Sequence, residues 1–441
     1  MVAVLAATAC VVGLVPQAQF HIDFALQTVV LSLSLARTER DASLRERGIG
    51  LLVLPLVAAL LAAVHAALFD APLGDDAFLA VLVGLAIWVR RFGPLATRIG
   101  TSAIPPVVAI LVVRGAATQP DGGYATWMAV SALCSALSVF VVLWVAGRCG
   151  LQANPAPLPP EVTTARGRLL PGTRVALQMA AALLLAGGIG RLVFGAHGEW
   201  VAITAFIVCS GARGTLDVLY KAVLRVSGAA LGTVLGTALA GALGPHHVGS
   251  LVIIAAVITL ATVLRTRNYG YWATGVTLAL ALLYGWQGGA TGALLGTRLL
   301  AIVLGALLGL ACSALLWPLS TWDIGRKRSA DALKLLAPAW GSTACDATQA
   351  ATIAARFPDA ITLLLQVAPA LRAHRRWQRM RRTDQPHVAD AVDALYQCLE
   401  PVQALARAVA MQAAPADILR LQSALRAHGA TARNVLQATG R

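Results

Sequence analysis

The chain contains two similar stretches, and this internal repeat constrains its fold more than any other feature of the sequence. Residues 30–37 align with residues 206–213. In a membrane protein, a duplicated unit usually encloses a central pathway. The repeat therefore predicts two copies of one helical unit, at residues 1–150 and 173–320.

The composition indicates that both copies lie in a membrane. Of the 441 residues, 58% are hydrophobic and 12% are charged, which is too apolar for a soluble protein. A helix needs roughly 20 apolar residues to cross a bilayer core. The apolar segments lie near residues 2–16, 20–36, 49–69, 77–89, 101–113, 125–147, 174–194, 200–212, 224–243, 249–264, 271–286 and 292–317. They predict an all-α integral membrane protein of two parallel six-helix repeats, with about twelve transmembrane helices.

The charged residues indicate how the chain is oriented. Basic residues concentrate in alternate loops and at adjoining helix ends, and they include Arg37, Arg40, Arg45, Arg47, Arg213, Lys221 and Arg225. The opposite loops carry Asp70, Asp75, Asp76 and Asp121. Because basic loops stay in the cytoplasm, we expect a multi-pass protein with both termini cytoplasmic. The net charge of +15 is interpreted first as a sign of this topology, so nucleic acid is not an expected partner.

Two segments outside the repeats differ in composition. Residues 151–172 contain a proline-rich stretch that cannot continue a helix, which predicts a cytoplasmic linker. Residues 321–441 show helical spacing of apolar residues and predict a cytoplasmic helical bundle. The basic run Arg372–Arg382 in this bundle suits a solvated face near anionic headgroups, or an anionic regulator or protein partner.

The motifs of several enzyme classes are missing from the sequence. The seven cysteines are scattered, so free thiols are expected. No P-loop, HExxH or GxSxG motif is present. We therefore expect no metal, no cofactor and no enzymatic activity, and transport would have to run on gradients.

Charged side chains inside apolar spans are costly, by roughly 3 kcal/mol or more each, and therefore point to function. Arg298 is the clearest case, because it lies inside the last span of the second copy with apolar residues on both sides. Its side chain either snorkels to the outer interface or contacts an anion in the pathway. Arg114 and Arg191 lie nearer the ends of their spans, and snorkelling accounts for both.

A paired motif combines an imidazole and a carboxylate at the start of the second span of each copy. It comprises His21 and Asp23 in the first copy, and His197 and Glu199 in the second. Such groups can exchange protons when burial brings their pKa toward neutrality. The motif therefore predicts either proton coupling or capping of the helix N-terminus by the acid.

The fifth span of each copy is a further candidate region. The second and fifth spans of the second copy are short, and Pro105 and Pro106 interrupt the fifth span of the first copy. Broken or short helices at matching positions of two repeats point to a transport site. Basic loops precede both fifth spans and would concentrate cytoplasmic anions. Aromatic side chains on the second-copy span either stack on an aromatic solute or anchor the span at the interface. The candidate substrate-binding residues are Arg37, Arg45, Arg213, Arg225, Arg298, Trp272 and Tyr284.

Glycines on the third span of the second copy predict close helix packing. Gly228, Gly232 and Gly236 recur every four residues and share one helix face. Small residues let helix backbones approach closely in lipid.

The second copy contains a set of widely spaced motifs, namely His197–Thr204, Arg213 with Gly214, Arg225–Gly228 with Gly232, Arg298 with Gly305, and Leu316–Pro318. Through these residues it resembles the fusaric acid resistance family, which includes bacterial aromatic acid exporters. The first copy is similar more loosely, through Arg37, Arg45 with Gly48, and Arg90–Thr97. Members with a large soluble domain between the halves are common, whereas this chain has only the short proline-rich linker.

The resemblance implies an inner-membrane exporter of aromatic or other weak organic acid anions, such as fusaric acid or hydroxybenzoate, driven by the proton motive force. The plant malate channels look like distant relatives. Two alternatives stay open, namely a passive organic anion channel gated by the cytoplasmic domain and a membrane-anchored scaffold. The implied partners are small organic anions, membrane lipids, and either a second copy of the chain or a periplasmic adaptor.

Overall fold

The computed structural model describes most of the chain, and the regular structure in the described ranges is helical throughout. The described residues are 3–4, 7–8, 22–38, 44–114, 123–150, 170–286, 288, 292–340, 346–382 and 385–439. Most of the predicted first span and most of the predicted linker lie outside these ranges.

The helices are numbered in chain order. The helices up to residue 315 are α1 (Ile22–Thr38), α2 (Leu44–Ala67), α3 (Pro72–Val89), α4 (Pro94–Arg114), α5 (Tyr124–Arg148), α6 (Pro171–Phe194), α7 (Glu199–Cys209), α8 (Thr215–Leu243), α9 (Val248–Leu264), α10 (Tyr269–Trp286) and α11 (Gly292–Leu315). The later helices are α12 (Thr321–Leu336), α13 (Ala347–Leu365), α14 (Ala368–Met380), α15 (Val388–Gln397), α16 (Leu399–Ala410) and α17 (Pro415–Ala438).

The helices form two compact units, and each unit has its own apolar core. The first unit comprises Met1–Ser210 and Lys221–Trp317, and the second comprises Gly211–Tyr220 and Pro318–Arg441. The core of the first unit draws on side chains from α1 to α7 and from α11. The core of the second unit draws on α12 to α17.

The first unit presents an apolar surface that suits lipid rather than water. On α2, the side chains of Leu52, Leu56 and Leu60 are 75%, 72% and 64% exposed. They recur every four residues and therefore form one outward stripe. Soluble monomers rarely expose a continuous apolar surface of this kind.

Six of the described helices are long and apolar enough to cross a membrane, judged by length and composition. The segments are Arg47–Ala67, Pro72–Phe92, Tyr124–Arg148, Pro171–Phe194, Thr215–Leu243 and Leu295–Leu315. Shorter apolar segments lie in α1, α4, α7 and α9, and α13 with α14 would count as a seventh span if this pair, bent by 55°, is taken together. The prediction of an all-helical fold with helices able to span a membrane is confirmed. The number of twelve spans remains a prediction.

Two predictions about interrupted or short helices have different outcomes. Helix α4 continues through Pro105 and Pro106, so the predicted interruption is wrong. Transmembrane helices tolerate proline because neighbouring helices and hydroxyl side chains can satisfy the freed carbonyls. Helix α7 has 11 residues, or about 16 Å of helix. The prediction of a short second span in the second copy is therefore confirmed.

Glycines on α8 allow this helix to pack closely against α10. A Cβ atom at Gly232 would lie 2.5 Å from the carbonyl oxygen of Thr274, and one at Gly236 would lie 2.5 Å from the Cβ of Ala281. Residue numbers rise together along the two helices, so α8 and α10 run parallel. The close packing predicted for these glycines is confirmed.

Gly232→Ala should destabilise the protein, because the added methyl group would collide with backbone atoms of α10. Gly241→Ala on the same helix is the matched control, since a Cβ atom there meets nothing within 4 Å. Alanine is a better helix former than glycine by about 1 kcal/mol, so the control should be neutral or stabilising. Thermal unfolding of the detergent-purified variants measures the difference. Equal unfolding temperatures would contradict the close approach of α8 and α10.

In the second unit, a histidine pair is buried at the N-terminus of α15. His387 is fully buried, and its Nδ1 accepts a hydrogen bond of 3.0 Å from the backbone N–H of Ala389. Neutral His387 therefore carries its proton on Nε2, which donates to Nδ1 of His374 at 3.0 Å. Trp322 packs edge-on against the His387 ring. These contacts fix the neutral tautomers of both rings.

Burial, together with the neighbouring His374 and against the opposing effect of Asp390, lowers the pKa of His387 from its ordinary value of 6.5 to about 4. Between about pH 4 and 6.5 the unfolded segment therefore binds more protons than the folded one. The folded state loses stability as the pH falls through this window. The full difference corresponds to about 3 kcal/mol.

Part of the basic run at Arg372–Arg382 forms ion pairs within the second unit. Arg372 and Arg375 form ion pairs with Asp393 at 2.7 and 2.8 Å. Arg375 also pairs with Asp390, which accepts a hydrogen bond from the backbone N–H of His387. These contacts join α14 to the first turns of α15.

Amide exchange at the start of α15 should speed up as the pH falls from 7 to 5, because protonation of His387 removes its capping acceptor. The expected loss is about 2 kcal/mol of opening free energy, measured by deuterium uptake of the full chain after correction for the intrinsic exchange rate. His387→Asn is the control, since asparagine can cap the helix but does not titrate. A pH dependence that survives in His387→Asn would assign the effect to another group.

Candidate functional site

Arg298 lies inside the first unit, on α11, and is enclosed by protein. Its side chain is 4% exposed. Among the described residues, none of its three guanidinium nitrogen atoms has a hydrogen-bond partner. The snorkelling alternative predicts a side chain that reaches the outer interface, and this burial within the protein does not support it.

The guanidinium of Arg298 lies over the ring of Trp200 on α7, with Cζ 4.0 Å from the ring centroid. An arginine over an indole face forms a cation–π contact, which is worth about 2 kcal/mol when it is shielded from water. The contact uses the face of the guanidinium plane. Its N–H groups, which lie in that plane, remain available to an acceptor.

Two glycines on α11 set the register in which α7 and α11 pack together. A Cβ atom at Gly305 would collide with the carbonyl oxygen of Val201, and one at Gly309 would lie 3.0 Å from Sγ of Cys209. Residue numbers rise together along both helices, so α7 and α11 also run parallel. This register places Arg298 beside the first turn of α7.

Two further polar groups act electrostatically on Arg298, namely Arg225 on α8 and Tyr284 on α10. Arg225 is also 4% exposed, and its Nε has no hydrogen-bond partner among the described groups. The site therefore combines two buried cations, an indole face and a phenol from four helices. We call Arg298, Arg225, Trp200 and Tyr284 the arginine site.

The arginine site has an energetic consequence. A buried charge without a partner costs several kcal/mol, even after the protein relaxes around it. The like charge of Arg225 adds to this cost. An anion that contacted these cations would offset the cost.

Several predicted residues lie elsewhere. Trp272 on α10 is half-buried under the guanidinium of Arg265, and about 18 Å of helix separates it from Tyr284. Arg213 belongs to the second unit, where its backbone N–H donates to Asp217. His21 and the side chains of Asp23, Arg37 and Arg45 lie outside the described residues.

A second group of ionisable side chains lies near the first turn of α7. Arg191 on α6 pairs with Asp76 on α3 at 2.8 Å and lies 3.8 Å from Glu199. Snorkelling therefore does not account for Arg191, since its guanidinium holds a buried carboxylate. Glu199 is 8% exposed, and His197 is half-buried in the short helix just before α7.

The acidic residues of the loop after α2 are placed differently from the prediction. Asp75 and Asp76 were expected in an outer loop, but they lie inside α3 and are 1% and 6% exposed. The Nδ1 atom of His65 on α2 donates to Oδ2 of Asp75 at 2.8 Å. The only local signal was Pro72, a residue that favours the first turn of a helix.

A separate cavity of about 40 Å³ lies between α1, α2, α4 and α5. Its lining includes the buried Arg47 and Ser102, and the other side chains are mostly apolar.

In the described ranges, no three His, Cys, Asp or Glu side chains are placed to hold a metal. The described cysteines are free, namely Cys134, Cys149, Cys209, Cys312 and Cys398.

Residues 179–312 match the sequence profile of the fusaric acid resistance protein-like family. The chain carries a fusaric acid resistance protein-like region. Together with the six apolar helices, this regional match supports a multi-pass membrane protein. The four residues of the arginine site lie inside this region. No curated protein and no solved structure matches the chain.

Arg298→Met should raise the thermal unfolding temperature of the protein in detergent without organic anions. The substitution keeps most of the side-chain volume and removes an unpaired buried cation, which is often neutral or stabilising by about 1–4 kcal/mol. Arg148→Met is the control, because Arg148 also lies over an indole ring but is exposed. A lower unfolding temperature for Arg298→Met alone would show that Arg298 is already satisfied.

Proposed function

We propose that this protein exports aromatic or other weak organic acid anions across the inner membrane, with both termini in the cytoplasm. The observation that carries the proposal is the buried Arg298, which lies over the ring of Trp200 and whose guanidinium has no hydrogen-bond partner among the described residues. The match of residues 179–312 to the fusaric acid resistance protein-like family supports the same class of function. In this proposal the protein is a transporter, with no enzymatic activity and no cofactor.

The chemistry of the arginine site suits a carboxylate with an aromatic body. The guanidinium fork can donate two parallel hydrogen bonds to a carboxylate, and such charge-assisted bonds are about twice as strong as neutral ones. The ring of Trp200 lies against the guanidinium of Arg298, and Tyr284 adds a second aromatic side chain that acts electrostatically on it. A small inorganic anion would use the charge but not the rings, so we expect the site to prefer hydroxybenzoate-like solutes.

Matching contacts in the two halves support the proposed repeat of two parallel six-helix copies. Helix α1 packs against α5, and α7 packs against α11 at the corresponding place in the second half. Helices α3 and α4 pack together, as do α9 and α10. Each half also buries an arginine of its third span, Arg47 in the first half and Arg225 in the second. A pathway between two such copies is the arrangement we propose.

The membrane potential alone favours the exit of an anion. A potential of 100 mV, negative inside, contributes about 2.3 kcal/mol for each charge that leaves. Proton uptake at buried ionisable groups of the first unit would add the pH gradient as a second driving force. A passive organic anion channel gated by the second unit would use the first force only, and this difference separates the two functions.

Vesicles reconstituted with the full chain should export labelled 4-hydroxybenzoate and fusarate faster than protein-free vesicles. Arg298→Ala should lower the export rate about tenfold or more, because a charge-assisted hydrogen bond is worth about 1.5–3 kcal/mol. Arg298→Lys keeps the charge but loses the fork, so its rate should be intermediate. Arg148→Ala is the matched control and should export at the wild-type rate.

Export is measured with and without an imposed pH gradient. Faster export with the gradient supports the exporter, whereas equal rates that respond only to voltage support the channel. Unchanged export by a correctly inserted Arg298→Ala protein would remove the arginine site from the pathway. Absence of any flux in the wild type would overturn the proposed function.

A further inference from the structure

The contact between His65 and Asp75 is a buried ionisable pair that the arginine site does not use. The two side chains are 2% and 1% exposed, and Nδ1 of His65 lies 2.8 Å from Oδ2 of Asp75. A carboxylate can only accept here, so the imidazole carries a proton on Nδ1. Ionisable groups within membrane helices are expensive and usually serve the transport of ions or protons.

The pair is linked to the arginine site through contacts that cross from the first half to the second. Asp76 follows Asp75 in α3 and pairs with Arg191 on α6, which lies 3.8 Å from Glu199 at the start of α7. The residue after Glu199 is Trp200, which holds the guanidinium of Arg298. A change at the pair can therefore reach the arginine site through α3 and the first turn of α7.

We propose that His65 and Asp75 form the proton-binding site that couples the pH gradient to anion export. A proton from the outer phase binds Nε2 of His65, while Nδ1–H continues to donate to Asp75. The same proton later leaves Nε2 to the cytoplasm, so no covalent bond between heavy atoms changes. This inference rests on the proposed export function.

Net charge explains why the contact binds a proton. With neutral His65 and ionised Asp75, the pair carries one net negative charge, and the added proton brings its net charge to zero. A buried ion pair with net charge zero costs less than an isolated buried charge. When the two side chains separate or water enters, this advantage is lost and the proton can leave.

The charged groups around the pair are engaged in other contacts, exposed, or located toward the opposite ends of their helices. Tyr124 on α5 has its ring centroid 5.9 Å from that of His65. Asp76 is engaged in an ion pair with Arg191. Asp70, in the turn before α3, is exposed. On α2, α3 and the described elements packed against them, the remaining charged side chains are Arg47, Arg90, Arg91, Arg98, Arg148 and Arg174, which lie toward the opposite ends of their helices.

Proton movement is tested with the full chain in vesicles that contain a pH-sensitive dye, using 4-hydroxybenzoate as the probe. In the wild type, outward flux of the probe should drive proton movement in the opposite direction. His65→Gln and Asp75→Asn should lose this proton movement at least tenfold. Both variants should still exchange labelled for unlabelled probe at equal concentrations, which shows that they are folded. Protein-free vesicles supply the background from the membrane-permeant acid.

Two further variants separate coupling from a structural role. Asp70→Asn is the matched control and should move protons as the wild type does. Asp75→Glu keeps the carboxylate and should restore part of the proton movement. Retained proton movement in His65→Gln or Asp75→Asn would overturn the inference, and so would loss of exchange together with coupling. Flux without proton movement in the wild type would overturn this inference alone, whereas no flux at all would overturn the proposed function as well.

Discussion

The burial of an unpaired guanidinium in an apolar helical unit is the constraint on which the functional argument depends. Arg298 is held by the face of Trp200, but among the described residues its N–H groups have no acceptor. The free-energy cost of burying that charge is a sizeable fraction of the net stability of a folded domain. Such a group persists when function uses it, and the chemistry that satisfies a guanidinium is that of a carboxylate.

The sequence identified Arg298 because its signal is local. A charged residue within an apolar run is conspicuous without any knowledge of its neighbours. Trp200 could not be assigned as its partner in the same way. The contact depends on the register between α7 and α11, and that register is set where Gly305 and Gly309 meet backbone and side-chain atoms of α7. Such contacts join residues about 100 positions apart in the chain.

The acidic residues after α2 show the opposite case, in which a local pattern misled. Asp75 and Asp76 follow a turn and resemble a solvated loop, which is where acidic residues are usually found. Their burial results from tertiary contacts with His65 and Arg191, which no local pattern encodes. The helical fold class was predictable from apolar segment length, whereas the contacts between segments were not.

The adjacency of Asp75 and Asp76 has a mechanical consequence. Consecutive residues project about 100° apart around a helix axis, so α3 holds α2 with one carboxylate and α6 with the next. A rotation of α3 about its own axis would lengthen both contacts in a single movement. The contact of α3 with α2 in the first half and its contact with α6 in the second half would then break together.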